Sequence, residues 1–388
     1  MSYASTAEPI KLGYLMDFKL PDGYPEEMRA DLTQPFELVF EQGLERGVID
    51  RPVEILYREV EGLPKGTVKA VIDAYGELVD EGCLLVFGPS ITDNCEPTKA
   101  AIEERFHVPA ISVTGSEAWL GEWTFSLSMG SMTDEPIFWA HLLAKRGLND
   151  VGVLVEQSLV GETYIKSFRS ACRDKGIRIV AEEPIAQTAQ DIGDAVRKLH
   201  EAKVQAIVHC GFGFGVVMIG PVFEELGWDP PRFMGTSFEN AWLAPIVWNA
   251  MLGWTGLDQY DEGNLVGQAF LDEYAAKYGR RPEYCVPVVN RDLAVVLLRA
   301  FADARPLSPL GVKEALERVK LLPAASGSPG TRAGTTAGSS PPPPTARPAP
   351  PRRRGRAWRG DRPRRSARRS SSPSRARRST RRATAPTR

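Results

Sequence analysis

Two short stretches of the chain gather side chains suited to holding a small polar group. Ser90-Ile91-Thr92-Asp93 follows Gly88-Pro89, and Thr114-Gly115-Ser116 follows Ser112-Val113. Each offers hydroxyls together with backbone N–H groups near the start of a helical segment, where unpaired N–H groups favour an oxygen acceptor. That chemistry suits capture of a carboxylate or of an amide carbonyl oxygen. Thr92, Asp93 and Ser116 are also ordinary helix-capping residues, and one side chain can both cap and bind.

Both stretches sit where apolar runs end. Leu84-Leu85-Val86-Phe87 and Val108-Pro109-Ala110-Ile111-Ser112 read as strands of a parallel sheet covered on both faces. Ligands of open α/β sheets collect outside the carboxyl ends of such strands, where strand order reverses. The two loops therefore form half of a small-molecule cleft. The pattern before them predicts a strand over 10–16, a helix over 32–46, a strand over 53–57 and a helix over 66–81. A helix follows that opens with Thr133 as N-cap. Strands at 151–155, 177–181, 206–209 and 233–234 then alternate with helices at 160–175, 192–202 and 216–226, and helices recur at 265–278, 290–304 and 311–319. Such alternation is the mark of parallel sheets with helices on both faces. Leu293, Val296, Leu297, Ala300 and Phe301 follow helical spacing and predict one buried stripe, directed at the first lobe.

The net charge of −1 over 388 residues conceals a division. Residues 323–388 hold 18 Arg and one Asp, which leaves 30 basic and 48 acidic residues before them; the body carries −18 and the tail +17. An acidic body disfavours nucleic acid as its partner, and 322 residues exceed a single core, so two lobes are expected. The tail uses eight residue types and has one large apolar side chain, Trp358. Such a composition does not offset the entropy of ordering, so residues 323–388 are expected to be disordered. The abrupt change after Leu322-Pro323 reads as a shifted frame in a GC-rich gene; the competing reading is an arginine-rich arm for a polyanion.

The order of these loops resembles the type I periplasmic binding proteins of the leucine/isoleucine/valine-binding group, the solute receptors of ABC importers. The resemblance covers residues 10–322 and rests on Ile10-Lys11-Leu12-Gly13, Gly88-Pro89, Val108-Pro109-Ala110-Ile111-Ser112 and Phe233-Met234-Gly235. It implies a two-lobed α/β fold hinged by interlobe crossings, with residues 1–118 and 248–322 in one lobe and 119–247 in the other. It also implies a small amino acid, amide or carboxylate as ligand, an ABC permease as partner, and closure of the lobes as mechanism. Cytoplasmic relatives that sense amides and act on a regulatory protein share the fold and form the alternative. In the family the chain continues past Thr331 into strands that complete the second lobe; here the arginine-rich tail stands in that place.

Carried over by position, the resemblance assigns ligand contacts to Ser90, Ile91 and Thr92 in one loop and to Thr114, Gly115 and Ser116 in the next. On the second lobe it assigns Val160 where relatives have tyrosine, Phe212 as the aromatic, and Ser237 where relatives place the acid that meets an α-ammonium. Glu239 lies two residues on and is the substitute candidate. A buried ammonium without a partner costs several kcal/mol, so a leucine-like ligand is only one possibility, and a carboxylate or amide without an amino group, its body against Phe212, Trp119 or Trp242, explains the changes as well.

Nothing in the sequence points to an enzyme, a cofactor or a metal. Gly211-Phe212-Gly213-Phe214-Gly215 lacks the spacing of a dinucleotide or phosphate loop. His107, His141, His200 and His209 form no chelating motif, and no nucleophile elbow is present. The doublets Glu103-Glu104, Glu182-Glu183 and Glu224-Glu225 and the stripe Glu37, Glu41, Glu45 read as solvated charges. Five widely spaced cysteines and the lack of an N-terminal apolar signal lead to the expectation of a cytoplasmic chain as written, and of an extracytoplasmic one if translation starts further upstream. Resequencing codons 318–335 decides between frame shift and genuine arm: a single intact frame eliminates the shift.

Overall fold

The apolar runs become strands because each has helices on both of its faces. The computed structural model describes residues 7–20, 23–188, 191–243 and 245–335. In the first lobe, β1 (Ile10–Met16), β2 (Val53–Glu59), β3 (Leu85–Phe87), β4 (Ala110–Ser112) and β5 (Thr124–Ser126) form a parallel sheet in the order β2-β1-β3-β4-β5. Alternate residues feed different cores. Leu85, Phe87, Ile111 and Phe125 pack on one side with Phe36 and Leu297; Leu15, Val86 and Ala110 pack on the other with Val71, Tyr75 and Leu78. Each such side chain contributes about 1.5–3 kcal/mol by leaving water. The helices responsible are α1 (Glu26–Glu45) on the first side and α2 (Val68–Asp80) and α3 (Thr92–Ala101) on the second.

The second lobe repeats this plan. Strands β6 (Asp150–Glu156), β7 (Arg178–Ile185), β8 (Ala206–Cys210), β9 (Arg232–Phe233) and β10 (Trp254–Thr255) are ordered β10-β9-β8-β6-β7 and all run parallel. Val151, Val153 and Val208 face one core and Leu154 and Ile207 the other. Helices α4 (Glu135–Lys145), α5 (Leu159–Lys175), α6 (Gly193–Glu201), α7 (Gly220–Leu226) and α8 (Pro245–Ala250) accompany them. Ser158 caps α5, its hydroxyl accepting from the Gly161 N–H at 3.1 Å. The expected cap of α4 is corrected: Thr133 does not cap it, and the Ser131 hydroxyl accepts from the Asp134 N–H instead.

The chain crosses between lobes at 127–134 and at 256–264 and returns to the first lobe as α9 (Leu265–Tyr278), α10 (Cys285–Asp303) and α11 (Pro309–Arg318). The predicted stripe of α10 is buried in full, against α1. The expected lobe boundaries shift. Thr124–Ser126 pairs with β4, so the first lobe runs past 118, and Trp254–Thr255 pairs with β9, so the second runs past 247.

The expected start of the tail at Pro323 is also corrected. β11 (Leu322–Pro323) pairs antiparallel with β12 (Arg332–Ala333), and Ala324, Ala325 and Ala333 are buried in the first lobe's core. Two polar side chains strap the turn between them. Buried Asp292 accepts from Ala325 N–H (2.8 Å), Ser326 N–H (2.9 Å) and the Ser326 hydroxyl (2.7 Å). The Asn264 amide lies within 3.0–3.3 Å of the carbonyl oxygens of residues 324 to 327 while its oxygen caps α9. The rest of the expected tail lies outside the described residues. Deletion of everything after Thr335 is expected to leave the urea midpoint unchanged, whereas ending the chain at Leu322 removes the partners of a buried carboxylate and costs at least about 3 kcal/mol.

Candidate functional site

The site begins with a carboxylate that belongs to neither predicted loop. Asp17 follows β1, is fully buried, and accepts from Ser90 N–H (2.8 Å), Ile91 N–H (3.1 Å) and the Asn94 amide (2.8 Å). Burial pushes its carboxyl above the usual range, and these donors pull it partly back. The loop after β3 is thereby folded onto the end of β1. Gly88 permits the approach: its φ is +110°, and a Cβ there would lie 2.3 Å from the Leu15 carbonyl oxygen. Two backbone N–H groups read as ligand donors are thus already spent, which corrects the role expected of Ser90 and Ile91 backbone.

The second lobe uses the same device. Glu156, the last residue of β6, is fully buried and accepts from Phe212 N–H (2.6 Å) and Gly213 N–H (2.8 Å), with His209 Nε2 3.2 Å away. Its carboxylate occupies the space where a Gly211 side chain would stand. The Asn240 amide donates to the Phe212 carbonyl at 2.6 Å, so Phe212 is held from both sides.

Between these two ends lies a crevice with two adjoining compartments. The one that carries hydroxyls, here the polar compartment although most of its wall is apolar, is about 90 Å3 and is lined by Ser90, Thr92, Thr114 and Gly115 from the first lobe and by Val160, Tyr164, Gly211, Phe212 and Thr236 from the second. The apolar one, about 140 Å3, is lined by Tyr14, Tyr24, Phe87, Ile91 and Tyr284 on one side and by Phe212, Asn240 and Trp242 on the other. Ser90, Val113, Met129 and Phe212 border both.

In the polar compartment the Thr92 and Thr114 hydroxyls lie 2.7 Å apart. Each carries one hydrogen, and one is used between them, so a second O–H remains for an acceptor brought in from outside. Ser112 and Ser126 fix the loop from behind: Thr114 N–H donates to the Ser112 hydroxyl, and the Ser126 hydroxyl donates to the Thr114 carbonyl. Behind Tyr164 and Thr236 lies buried Glu135, which accepts from the Tyr164 hydroxyl, the Thr236 hydroxyl and N–H, and the Ser131 N–H, all within 2.9 Å. These four donors occupy both of its oxygens.

Seven of the predicted site residues therefore line one crevice: Ser90, Ile91, Thr92, Thr114, Gly115, Val160 and Phe212. Ser116 does not. Its hydroxyl donates to Glu96 at 2.5 Å and accepts from the Ala118 N–H, so here the capping reading holds and the expected ligand contact is corrected. The side chains of Ser237 and Glu239 lie outside the described residues. Trp119 packs in the core: it is fully buried behind the sheet and donates to the Phe125 carbonyl. Glu103 is no solvated charge, since it accepts from Trp123 N–H and the Thr124 hydroxyl. Asp17, Tyr14, Glu135, Glu156 and Tyr284 were not signalled, because none sits in a loop rich in hydroxyls. Among the described residues no His, Cys, Asp and Glu cluster could hold a metal, and no helix is long and apolar enough to cross a membrane.

A profile of the periplasmic binding proteins matches residues 9–341. The chain belongs to that family. Its type I fold is shared with a type 1 periplasmic binding protein from Bordetella pertussis (TM-score 0.70, 19% identity, 84% of this chain and 94% of that one). A branched-chain amino acid substrate-binding protein from Streptococcus pneumoniae, solved with isoleucine, is similar at TM-score 0.68 and 18% identity over 83% and 91% of the two chains. A solute-binding protein from Rhodopseudomonas palustris, solved with benzoate, is similar at TM-score 0.64 and 14% identity over 82% and 88%. No curated protein matches the sequence.

In this family member the two lobes touch at the crevice's rim. Asp93, 8% exposed in the first turn of α3, accepts through Oδ1 from the Leu159 N–H at the start of α5, 3.0 Å across the gap, while its Oδ2 is buried without a hydrogen-bond partner. Burial raises its carboxyl above the usual range; the Leu159 N–H opposes the rise, and Glu156 and Glu96 add to it. A carboxyl raised on folding favours the folded state most at low pH and loses that advantage as pH climbs through the raised value. Asp93→Asn keeps an acceptor for Leu159 and removes the charge. Its melting temperature is expected to equal that of wild type near pH 4 and to exceed it at pH 7; equal temperatures at both would show that the carboxyl is not buried in the folded protein.

Proposed function

We propose that this chain is the solute receptor of an ABC importer and takes a small carboxylate or amide that has an apolar body and no amino group. The observation that carries the reading is the junction of the two compartments at Phe212, with a polar end built from Thr92, Thr114 and Gly115 and an apolar end built from aromatic rings. A ligand matching both ends has one acceptor-rich head and one hydrophobic body. The spare hydroxyl hydrogen of the threonine pair meets the head, and Phe212 lies along the body. The lobes close over both, since each compartment draws walls from both sheets. Closure is favoured only to the extent that the ligand contacts the closed arrangement better than the open one.

The choice against an α-amino acid rests on the carboxylates. Asp17 and Glu135 have their oxygens engaged by protein donors, and Glu156 holds the Phe212 loop. Taking any of them for an ammonium would release buried N–H groups, each at a cost of about 1–3 kcal/mol. The benzoate and isoleucine carried by two similar proteins show that this fold accommodates both kinds of solute. Calorimetric titration with benzoate, phenylacetate, benzamide, hexanoate and leucine tests the reading. Benzoate or another amine-free compound is expected to bind at least about tenfold more tightly than leucine, and Thr92→Val is expected to weaken it by about tenfold. Leucine binding more tightly than every amine-free compound would overturn it.

A further inference from the structure

The apolar compartment ends at a pair of rings contributed by opposite lobes. Trp242, in the 3-10 helix Thr236–Leu243 of the second lobe, stacks on Tyr284, which precedes α10 in the first; the ring centroids are 4.9 Å apart and the planes 24° from parallel. Tyr284 is a fixed platform. It is 7% exposed, and its hydroxyl donates to Asp31 Oδ2 at 2.8 Å, while Asp31 is also held by the Tyr274 hydroxyl and paired with Arg280. Trp242 is the opposite case. At 39% exposure it is the only exposed residue among the described residues lining the compartment, the others being buried or half-buried. Beyond it the surface stays apolar: the Trp248 ring lies 5.1 Å away, and Ile246 is 69% exposed.

We infer that Trp242 sets the length of the ligand's body and that the ligand class is therefore a carboxylate or amide bearing a single six-membered ring or a chain of comparable volume. The compartment of about 140 Å3 is close to the ~150 Å3 of an apolar cavity that accepts one benzene molecule. A ring joined directly or by one carbon to the head fills this space with the Trp242–Tyr284 stack intact. A body longer by two or three carbons must displace Trp242, and because Trp242 meets its partner across the lobe boundary, displacing it also removes a contact specific to the closed arrangement. The apolar ground beyond, formed by Trp248 and Ile246, would receive a longer body once the indole is removed. This inference rests on the crevice being the ligand site, as proposed above.

The test is a titration series of benzoate, phenylacetate, 3-phenylpropanoate and 4-phenylbutanoate against the full chain. Wild type is expected to lose affinity by about tenfold or more per added carbon past phenylacetate. Trp242→Ala is expected to bring the two longer acids within about tenfold of benzoate, Trp242→Phe to retain the cut-off, and Trp248→Ala to leave it unchanged. Trp242→Leu replaces the alanine variant if circular dichroism shows the latter unfolded. A folded Trp242→Ala or Trp242→Leu protein that keeps the wild-type cut-off, or a wild type without a cut-off, overturns the inference while leaving the crevice reading standing. Failure of wild type to bind any of the four overturns the amine-free reading of the crevice and the inference together.

Discussion

A buried carboxylate at the carboxyl end of each lobe's first strand organises the crevice. Asp17 after β1 and Glu156 at the end of β6 each draw down two backbone N–H groups from the loop of the strand alongside, β3 in one sheet and β8 in the other. Removing one such charge from water is costly, and only the convergence of several donors makes the arrangement tolerable. In return, the loop that follows is tied to the strand end by those hydrogen bonds. Thr92 is thereby placed beside Thr114, and Phe212 is placed between the two compartments. The glycines after β3 and β8 belong to the same device, since a side chain at Gly88 would strike the β1 backbone and one at Gly211 would strike Glu156 itself.

The device also divides the labour between polar and apolar chemistry. The protein's own carboxylates take the N–H groups of Ser90, Ile91, Phe212 and Gly213, and in the proposed reading the hydroxyl pair of Thr92 and Thr114 meets the ligand's head. The aromatic rings supply the apolar part of the crevice. Tyr14 packs edge-on to Phe87 at 4.8 Å, and both line the apolar compartment with Tyr284 and Trp242. Selectivity in a site of the proposed kind comes from shape and from the cost of leaving buried polar groups unpaired.

The alternation of apolar runs with helical stripes was enough to read the two parallel sheets from the sequence, and the stripe from Leu293 to Phe301 was enough to send α10 back to the first lobe. The threonine pair was legible for a similar local reason, since hydroxyls at strand ends stand out against Val86-Phe87 and Ala110-Ile111. What stayed hidden depends on long-range pairing. Nothing local to Asp17 announces that it will meet Ser90, and nothing local to Ser116 announces that Glu96 will take its hydroxyl. The strand at 124–126 is three residues long, so its membership of the first sheet is decided by β4 and not by its own pattern. Composition likewise misplaced the end of the fold: Ala324, Ala325 and Ala333 are small enough to look like linker, yet they are buried because Asp292 and Asn264 anchor the turn between them.

The packing of α10 on α1 fixes an order of assembly. The first lobe's core unites residues from Ile10 to Phe125 with others from Phe270 to Ala333, whereas the second lobe's strands all lie between Asp150 and Thr255. On a chain emerging from the ribosome, the amino-terminal sheet and α1 must wait for α10 while the whole of the middle lobe is made. The half of the protein that is translated first is consequently the half that is completed last.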